Sequence, residues 1–186
     1  MRLRHRLALA LLFVAVARPL AAQQGGAGPL ADLLARGPNP DGPFARGARL
    51  AEDSVVQRAR EQLGRRYRYA AASPERGFDC SGLVKYVLEA VGVELPHNAA
   101  RMAREGEAVN PDLTALQPGD LLMFGRGGST RISHVGIYVG DGRMIHASTS
   151  RRRVVETRVP SKASSLKLRT VRRVLRDSTT VPRGLE

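Results

Sequence analysis

The chain has 186 residues, enough for one domain of ordinary size with flanking segments. Hydrophobic residues make up 42% of it, which is enough for a hydrophobic core, while Trp is absent. The formal net charge of +13 suits an anionic partner. Since no segment combines aromatic and basic residues as single-strand nucleic-acid platforms do, we expect no nucleic-acid partner; the alternative is a basic surface without a specific partner.

The first 22 residues have the layout of a cleavable signal peptide. Three arginines stand among the first six residues, residues 7–17 are apolar, and small residues follow at Ala21 and Ala22. The apolar run is too short for a stable membrane anchor. We therefore expect an exported protein, periplasmic or secreted, with no stable membrane insertion. The net charge of the mature chain would be +9, since the leader contains four arginines and no acid.

Three further segments are expected after the leader. Residues 23–49 are interpreted as a flexible linker, because Gly and Pro recur there too densely for regular structure. The folded domain is expected over residues 50–176, and a polar tail over residues 177–186. Residues 151–186 contain eleven Arg or Lys against three acids, so this basic end is a candidate for contact with an anionic surface. We expect the chain to be monomeric.

Helices are predicted in the first half of the domain. The first is capped by Asp53 or Ser54 and ends at Gly64, with one apolar face formed by Val55, Val56, Ala59 and Leu63. The second begins at Cys80 and ends at Gly92 in a left-handed conformation, with an apolar face formed by Leu83, Val84, Val87, Leu88 and Val91. A short third helix, capped by Asn98, is predicted to end near Arg104.

Strands are predicted in the second half of the domain, over residues 120–124, 134–139, 144–148, 154–159 and 170–175. Helices followed by an antiparallel sheet indicate an α+β domain. Gly140-Asp141-Gly142 indicates a three-residue hairpin turn. That turn would place His134 diagonal to His146 on one face of the sheet, whereas a two-residue turn would send the two rings to opposite faces.

Cys80 is the only cysteine of the chain. In an exported protein it cannot close an intrachain disulfide, so it stays a free thiol or pairs with another chain. At a helix N-terminus the unpaired amides and the helix dipole stabilise a thiolate, and comparable sites lower a thiol pKa to roughly 3.5–7.5. Cys80 is therefore interpreted as a nucleophile, with the neighbouring amides as donors to an oxyanion.

A thiol nucleophile needs a base and a group that orients the base. The chain has four histidines, of which His134 and His146 are the two that the predicted hairpin brings together. The alternative is a zinc site formed by Cys80, His134 and His146, with Asp79 or water as the fourth ligand. Because no short paired-ligand spacing is present, the catalytic interpretation is favoured, and we expect neither a metal nor an organic cofactor.

These residues stand in short motifs that follow one another over residues 52–175. The motifs are Gly64-Arg65-Arg66-Tyr67, Phe78-Asp79-Cys80-Ser81-Gly82-Leu83-Val84, Leu95-Pro96, Leu116-Gln117-Pro118-Gly119-Asp120-Leu121, Ser133-His134-Val135-Gly136-Ile137-Tyr138 and Ile145-His146-Ala147-Ser148. In this order they closely resemble the NlpC-type family of papain-like cell-wall cysteine peptidases. The resemblance implies a papain-like α+β fold, with N-terminal helices packed on a central antiparallel sheet.

The resemblance also implies an activity. It is that of an exported cysteine peptidase that hydrolyses peptidoglycan stem peptides, typically between D-glutamate and diaminopimelate. By position, Cys80 would be the nucleophile, His134 the general base and His146 the residue that orients His134. Four further residues match substrate-binding positions: Tyr67, Asp79, Ser81 and Ser133. The partner would be peptidoglycan peptides, and the basic tail would contact the anionic cell-wall surface.

The chain departs from the family pattern at two places near the expected cleft. After Tyr67 the family usually has Trp-Gly-Gly, whereas this chain has Tyr69-Ala70-Ala71, and His97 stands where the family usually has Arg. Asp79 also fits as the cap of the second helix. Two alternative functions stay open, namely a non-catalytic cell-wall-binding module and a papain-like acyl transferase or protein peptidase.

Overall fold

The computed structural model describes residues 43–161 and 163–175. The predicted signal peptide, most of the predicted linker and the predicted polar tail lie outside these residues. The helices are α1 (Pro43–Arg60), α2 (Cys80–Glu89) and α3 (Ala99–Met102). The strands are β1 (Ala72–Ser73), β2 (Gly77–Phe78), β3 (Glu107–Val109), β4 (Leu121–Arg126), β5 (His134–Gly140), β6 (Arg143–Ser148), β7 (Arg153–Arg158) and β8 (Leu166–Arg173). In the described residues, no helix is both long and apolar enough to cross a bilayer.

Helix α1 begins at Pro43, ahead of the predicted domain start at residue 50. Residues 43–49 are therefore helical, and their assignment to the flexible linker was wrong. A proline is tolerated in the first turn because its φ is already helical and its missing N–H would have no partner there. Asp53 and Ser54 consequently lie inside the helix rather than at its cap, and the Ser54 hydroxyl donates to the Leu50 carbonyl at 2.7 Å.

The predicted apolar face of α1 is only partly correct. Val55, Val56 and Ala59 are buried in the main core. Leu63 is 42% exposed, because the helix ends at Arg60 and Leu63 falls in the turn that follows. Gly64 adopts a φ of +81° just beyond this turn, which is the conformation expected of a glycine that ends a helix.

Helix α2 agrees closely with its prediction. It starts at Cys80 with Asp79 as its cap, and its predicted apolar residues from Leu83 to Leu88 are buried. Gly92, with φ +78°, follows its last turn. Asn98 caps α3 by accepting from the Arg101 N–H at 3.0 Å, and this helix is one turn long.

The six-stranded sheet is antiparallel throughout, in the order β3-β8-β4-β5-β6-β7. The five predicted strands are present, with shifted ends. The last one, β8, lies between β3 and β4, where the buried carboxylate of Asp120 pairs with Arg173 at 2.8 Å. The short strands β1, β2 and β3 were not predicted, since two or three residues show no alternation.

The sheet separates two apolar clusters. The larger cluster lies between the sheet and helices α1 to α3, and it includes Val135 and Ile137 of β5. The smaller one lies on the opposite face, around Phe124 and Tyr138. Because side chains alternate along a strand, His134 and Gly136 share the face of Tyr138, and helix α2 meets the sheet at the other face. The α+β class predicted from the sequence is confirmed.

The β5–β6 hairpin keeps the predicted register by a different route. Its turn has two central residues, Asp141 and Gly142, at φ +52° and +65°, rather than the predicted three. A bulge between Tyr138 and Gly140 shifts the register by one, so that Ile137 again faces Ile145. The bulge therefore restores the common face of the two histidines that a plain two-residue turn would have lost.

Candidate active site

A cleft of about 450 Å³ opens beside the N-terminus of α2 and the loop that leads into β5. Cys80 lines this cleft together with all four predicted substrate-binding residues: Tyr67, Asp79, Ser81 and Ser133. Tyr69, His97 and Arg131 also line it. The folding thus brings residues from four separate segments of the chain to one concave surface.

The sulfur of Cys80 lies at the beginning of β5. The backbone N–H of Val135, the residue directly after His134, faces this sulfur and lowers the pKa of the thiol. In the β5–β6 ladder the paired residues begin at Ile137, so the two strands separate towards His134 and the Val135 amide is available to the thiol. The free thiol of α2 and the first residue of β5 are therefore neighbours in the fold.

The predicted low pKa of Cys80 is corrected by its surroundings. Burial raises the pKa of the Cys80 thiol, the Val135 N–H lowers it, and the Asp79 carboxylate raises it again. The amides at the N-terminus of α2 also favour the thiolate, but they do not outweigh the loss of solvent. In the absence of substrate the site therefore favours a neutral thiol.

The two predicted histidines are in direct contact. Nε2 of His134 and Nδ1 of His146 are 2.8 Å apart, and the rings are nearly perpendicular at 88°. Nε2 of His146 lies 3.3 Å from the Thr157 hydroxyl on β7. One of the two facing nitrogens must carry a proton, and a hydroxyl can accept as well as donate, so one consistent arrangement has His134 Nε2–H donating to His146 and His146 Nε2–H donating to Thr157. This arrangement leaves Nδ1 of His134 unprotonated and able to act as a base.

Both imidazoles are neutral at rest. Burial lowers the pKa of His134, and the neighbouring His146 and Arg126 lower it further. Burial also lowers the pKa of His146, with a smaller contribution from Arg151. A proton taken up by either ring would therefore place a charge in a site that is largely removed from water.

Gly136 makes room for the histidine pair. It lies on the same face as the two rings, opposite His146 in the hairpin register. A Cβ at this position would be 3.1 Å from the Met144 sulfur and 3.3 Å from Cβ of His146. Such contacts are tighter than ordinary van der Waals packing, so any side chain here would displace His146 or Met144.

Asp79 organises the cleft from below. Its Oδ1 accepts from the Gly82 N–H at 2.7 Å, the Ser81 hydroxyl at 3.1 Å and His97 Nε2 at 2.9 Å. Its Oδ2 accepts from the Ala70 N–H at 2.8 Å. The prediction that Asp79 caps the helix is confirmed. The same carboxylate joins three segments around Cys80, namely the loop at Ala70, the start of α2 and the loop at His97.

The Tyr69-Ala70-Ala71 segment shows what the departure from the family pattern costs. Ala70 adopts a φ of +55°, a conformation that glycine occupies readily and alanine does not. This conformation directs the Ala70 N–H at Asp79, so the hydrogen bond offsets part of the strain.

The two tyrosines at the cleft differ in exposure. Tyr69 is 83% exposed. Burial raises the pKa of the Tyr67 hydroxyl, and the nearby Cys80 and Asp79 raise it further. Tyr67 is therefore a protonated phenol that can donate a hydrogen bond.

The zinc alternative finds no support in the geometry. In residues 43–161 and 163–175, no three His, Cys, Asp or Glu side chains form a group that could hold a metal ion. The nitrogens through which His134 and His146 face each other are hydrogen-bonded together at 2.8 Å, so one of them must carry a proton. A metal would have to displace that hydrogen bond.

Two residues of the site escaped the sequence analysis. Thr157 reaches His146 because β7 pairs with β6, with Val155 opposite His146, and that register depends on a turn whose length the sequence leaves open. Arg131 lies in the loop before β5 and faces the cleft. The alternation of β7 was a usable signal for Thr157, and none was available for Arg131.

A free thiol at a helix N-terminus, placed against the strand that begins with a paired histidine, is the arrangement of papain-like proteins. Comparison of the sequence with known families narrows this class. The NlpC/P60 family matches residues 64–173. The chain belongs to this family.

Named relatives match somewhat more than half of this chain and a smaller part of their own length. A probable endopeptidase of Mycobacterium tuberculosis is 46% identical over 110 residues, which is 59% of this chain and 26% of that protein. The gamma-DL-glutamyl hydrolase of Bacillus subtilis is 37% identical over 106 residues, 56% of this chain and 25% of that protein. The chain thus spans about a quarter of the length of these curated relatives.

Solved structures share the fold over a larger part of the chain. The peptidoglycan hydrolase RipB of Mycobacterium tuberculosis aligns with a TM-score of 0.59 and 29% identity, covering 87% of this chain and 92% of that structure. RipD of the same organism, described as a non-catalytic NlpC/p60 domain protein adapted to peptidoglycan binding, aligns with a TM-score of 0.57 and 25% identity over 67% of this chain and 98% of that structure. The papain-like fold expected from the sequence is confirmed.

Proposed function

We propose that the protein is an exported cysteine peptidase that hydrolyses peptidoglycan stem peptides at the bond between D-glutamate and diaminopimelate. The observation that carries the proposal is the position of the Cys80 sulfur at the amide next to His134, whose ring is hydrogen-bonded to His146. The relatives named as an endopeptidase and as a gamma-DL-glutamyl hydrolase support the substrate class. The predicted leader supports export.

The first step is proton transfer and attack. Nδ1 of His134 takes the proton of the Cys80 thiol, and the thiolate forms a bond to the γ-glutamyl carbonyl carbon. His146 accepts from His134 Nε2–H and keeps the ring in this tautomer, as the third member of such a triad does. The carbonyl oxygen becomes an oxyanion, which the amides at the N-terminus of α2 and the Tyr67 hydroxyl are placed to stabilise.

The second half of the reaction releases both products. His134 gives its proton to the amino group of diaminopimelate, the carbon–nitrogen bond breaks, and an acyl-enzyme on Cys80 remains. Water, deprotonated by His134, then attacks the thioester, and the thiol returns with the proton. Because both groups are neutral before and after each cycle, the protein's own residues balance every proton.

The test is the mass of the products from purified muropeptides. The variant C80A should lose detectable cleavage while its circular dichroism spectrum stays that of the parent, and the parent should yield fragments ending in D-glutamate. A matched variant outside the cleft, D112N, should cleave at the parental rate. Full cleavage by C80A, or loss of parental activity in a chelator, would overturn the thiol mechanism.

A non-catalytic wall-binding module is the second candidate. It is favoured by the likeness to RipD, whose description is non-catalytic, and by the burial that raises the pKa of Cys80. The same experiment separates the two candidates. A module of this kind would bind insoluble peptidoglycan and release no fragment, and C80A would bind as the parent does.

A further inference from the structure

Seven arginines from two distant parts of the sequence, residues 65–76 and 151–153, form one basic border beside the cleft. We call them the arginine rim: Arg65, Arg66, Arg68, Arg76, Arg151, Arg152 and Arg153. All seven are exposed. The run at residues 151–153 alone is an ordinary solvated turn, but the fold adds residues from the segment around Tyr67 to it.

Backbone pairing assembles the rim. The segment 64–67 runs antiparallel to the start of β7, with the Tyr67 N–H donating to the Arg152 carbonyl and the Val154 N–H donating to the Arg65 carbonyl, both at 2.8 Å. Arg66 lies directly opposite Arg153 in this pairing. Like charges placed opposite each other across strands destabilise the pair, so the fold carries an electrostatic cost at this edge.

The charge of the rim is not neutralised within the part of the chain that the structure describes. Three arginines outside the rim pair with acids: Arg143 and Arg60 with Glu156, and Arg173 with Asp120. No rim arginine forms an ion pair with a carboxylate in residues 43–161 and 163–175. Glu75 is the one acid in the segments that carry the rim, and its charge balances one arginine at most.

The rim is continuous with the cleft. Tyr67, which stands between Arg66 and Arg68 in the chain, lines the cleft together with Cys80. The Tyr67 N–H also ties this wall of the cleft to the turn that carries Arg151 and Arg152. A polymer whose peptide occupies the cleft can therefore reach the rim, and the simplest ligand of the rim is another part of that polymer.

We propose that the arginine rim binds carboxylates of neighbouring stem peptides on the same peptidoglycan polymer whose peptide occupies the cleft. This inference rests on the proposed function for the identity of the polymer. Stem peptides carry free carboxylates at glutamate, diaminopimelate and the terminal alanine, and arginine recognises carboxylates through paired N–H donors. Several weak contacts on one polymer act together, so the rim selects polymeric over single-stem substrate and does so in a salt-dependent way.

The experiment compares two charge-matched double variants, both made in the inert C80A background. R68Q/R153Q removes two rim arginines whose side chains form no hydrogen bond within the described residues. R104Q/R158Q removes two exposed arginines outside the rim. Binding to purified insoluble peptidoglycan is measured by co-sedimentation at 20 and 300 mM NaCl, quantities chosen to bracket physiological screening at roughly 150 mM.

At low salt, R68Q/R153Q should bind about three- to tenfold more weakly than C80A, while R104Q/R158Q should change binding less than twofold. At high salt, the difference between the two variants should shrink. Peptidoglycan whose carboxylates have been converted to amides should bind C80A as weakly as R68Q/R153Q binds the native polymer. In the active background, both double variants should cleave a soluble single-stem muropeptide within about twofold of the parent, since the rim serves the polymer.

Three results would overturn the inference. Equal weakening by the two double variants would show that net charge alone acts. Unchanged binding to the amidated polymer would exclude carboxylates as the ligand. Tighter binding to phosphatidylglycerol vesicles than to peptidoglycan would assign the rim to a lipid surface. Because binding is measured with an inert protein, these outcomes are independent of whether the parent cleaves muropeptides, which tests the proposed function.

Discussion

Replacing Asp79 by Asn should destabilise the protein by about 2–4 kcal/mol, because the two oxygens of one carboxylate accept four donors. An amide has a single oxygen, so its NH2 group must face either the Ala70 N–H or the donors at Oδ1. Losing one hydrogen bond to a charged acceptor costs about 1.5–3 kcal/mol, and weakening the others adds to it. The side chain is buried, so water does not replace the lost contacts.

The assay is urea unfolding of the full chain, followed by circular dichroism. Asp112 provides the matched control. Its carboxylate accepts from the Thr114 N–H and caps a single exposed turn of 3-10 helix, Leu113–Ala115. D112N should lower the free energy of unfolding by less than about 0.5 kcal/mol. D79N should also alkylate at Cys80 faster than the parent near neutral pH, because the Asp79 charge adds to the effect of burial in raising the thiol pKa. A D79N protein as stable as D112N would refute the four-donor account of Asp79.

Two further outcomes follow from the histidine pair. G136A should lower kcat on muropeptides about tenfold, because a Cβ 3.3 Å from that of His146 displaces the ring by a few tenths of an ångström. The control G128A, whose Cβ meets open space, should leave kcat unchanged. Equal rates for the two variants would contradict the packing argument. Stability should fall as the pH drops below about 6.5, the unfolded pKa of histidine, because burial lowers the pKa of His134 and His146 and the unfolded chain binds the protons first. The slope should approach about 1.4 kcal/mol per pH unit for each ring. Urea unfolding at pH 7.5 and 5.5 measures it, and the variant H134Q/H146Q should show a flatter profile; an identical slope in that variant would assign the acid sensitivity to other groups.

The neutral resting state bears on how the site is kept inactive without substrate. In the proposed mechanism, burial favours the thiol until His134 takes the proton, and a neutral thiol is less open to oxidation than a permanent thiolate. Two roles, stabilising a thiolate and limiting when it forms, thus fall to different parts of the fold. In that mechanism the N-terminus of α2 would stabilise the developing charge, and the burial of the two rings would limit when that charge forms.

Most of the helices and the identity of the central residues follow from local patterns in the sequence. The cap at Asp79, the buried face of α2 and the glycine at Gly92 are determined within one or two turns of chain, so propensity and periodicity suffice to predict them. The same is true of the pairing of His134 with His146, which needs only the alternation of a hairpin. Even there, the predicted turn length was wrong and a bulge restored the register.

Contacts between distant segments could be decided only by the tertiary structure. The burial that keeps the Cys80 thiol neutral and the pairing of Arg66 with Arg153 depend on segments that no periodic signal connects. The contact of Thr157 with His146 depends on the register between β6 and β7, which the length of their turn sets. The start of α1 at Pro43 also differed from the prediction, since a Gly- and Pro-rich segment becomes helical there against its local composition. The local sequence therefore determined which chemical groups the site contains. Packing between remote segments set their charge state, their partners and the basic surface beside them. Desolvation and cross-strand contacts exist only after the chain has folded.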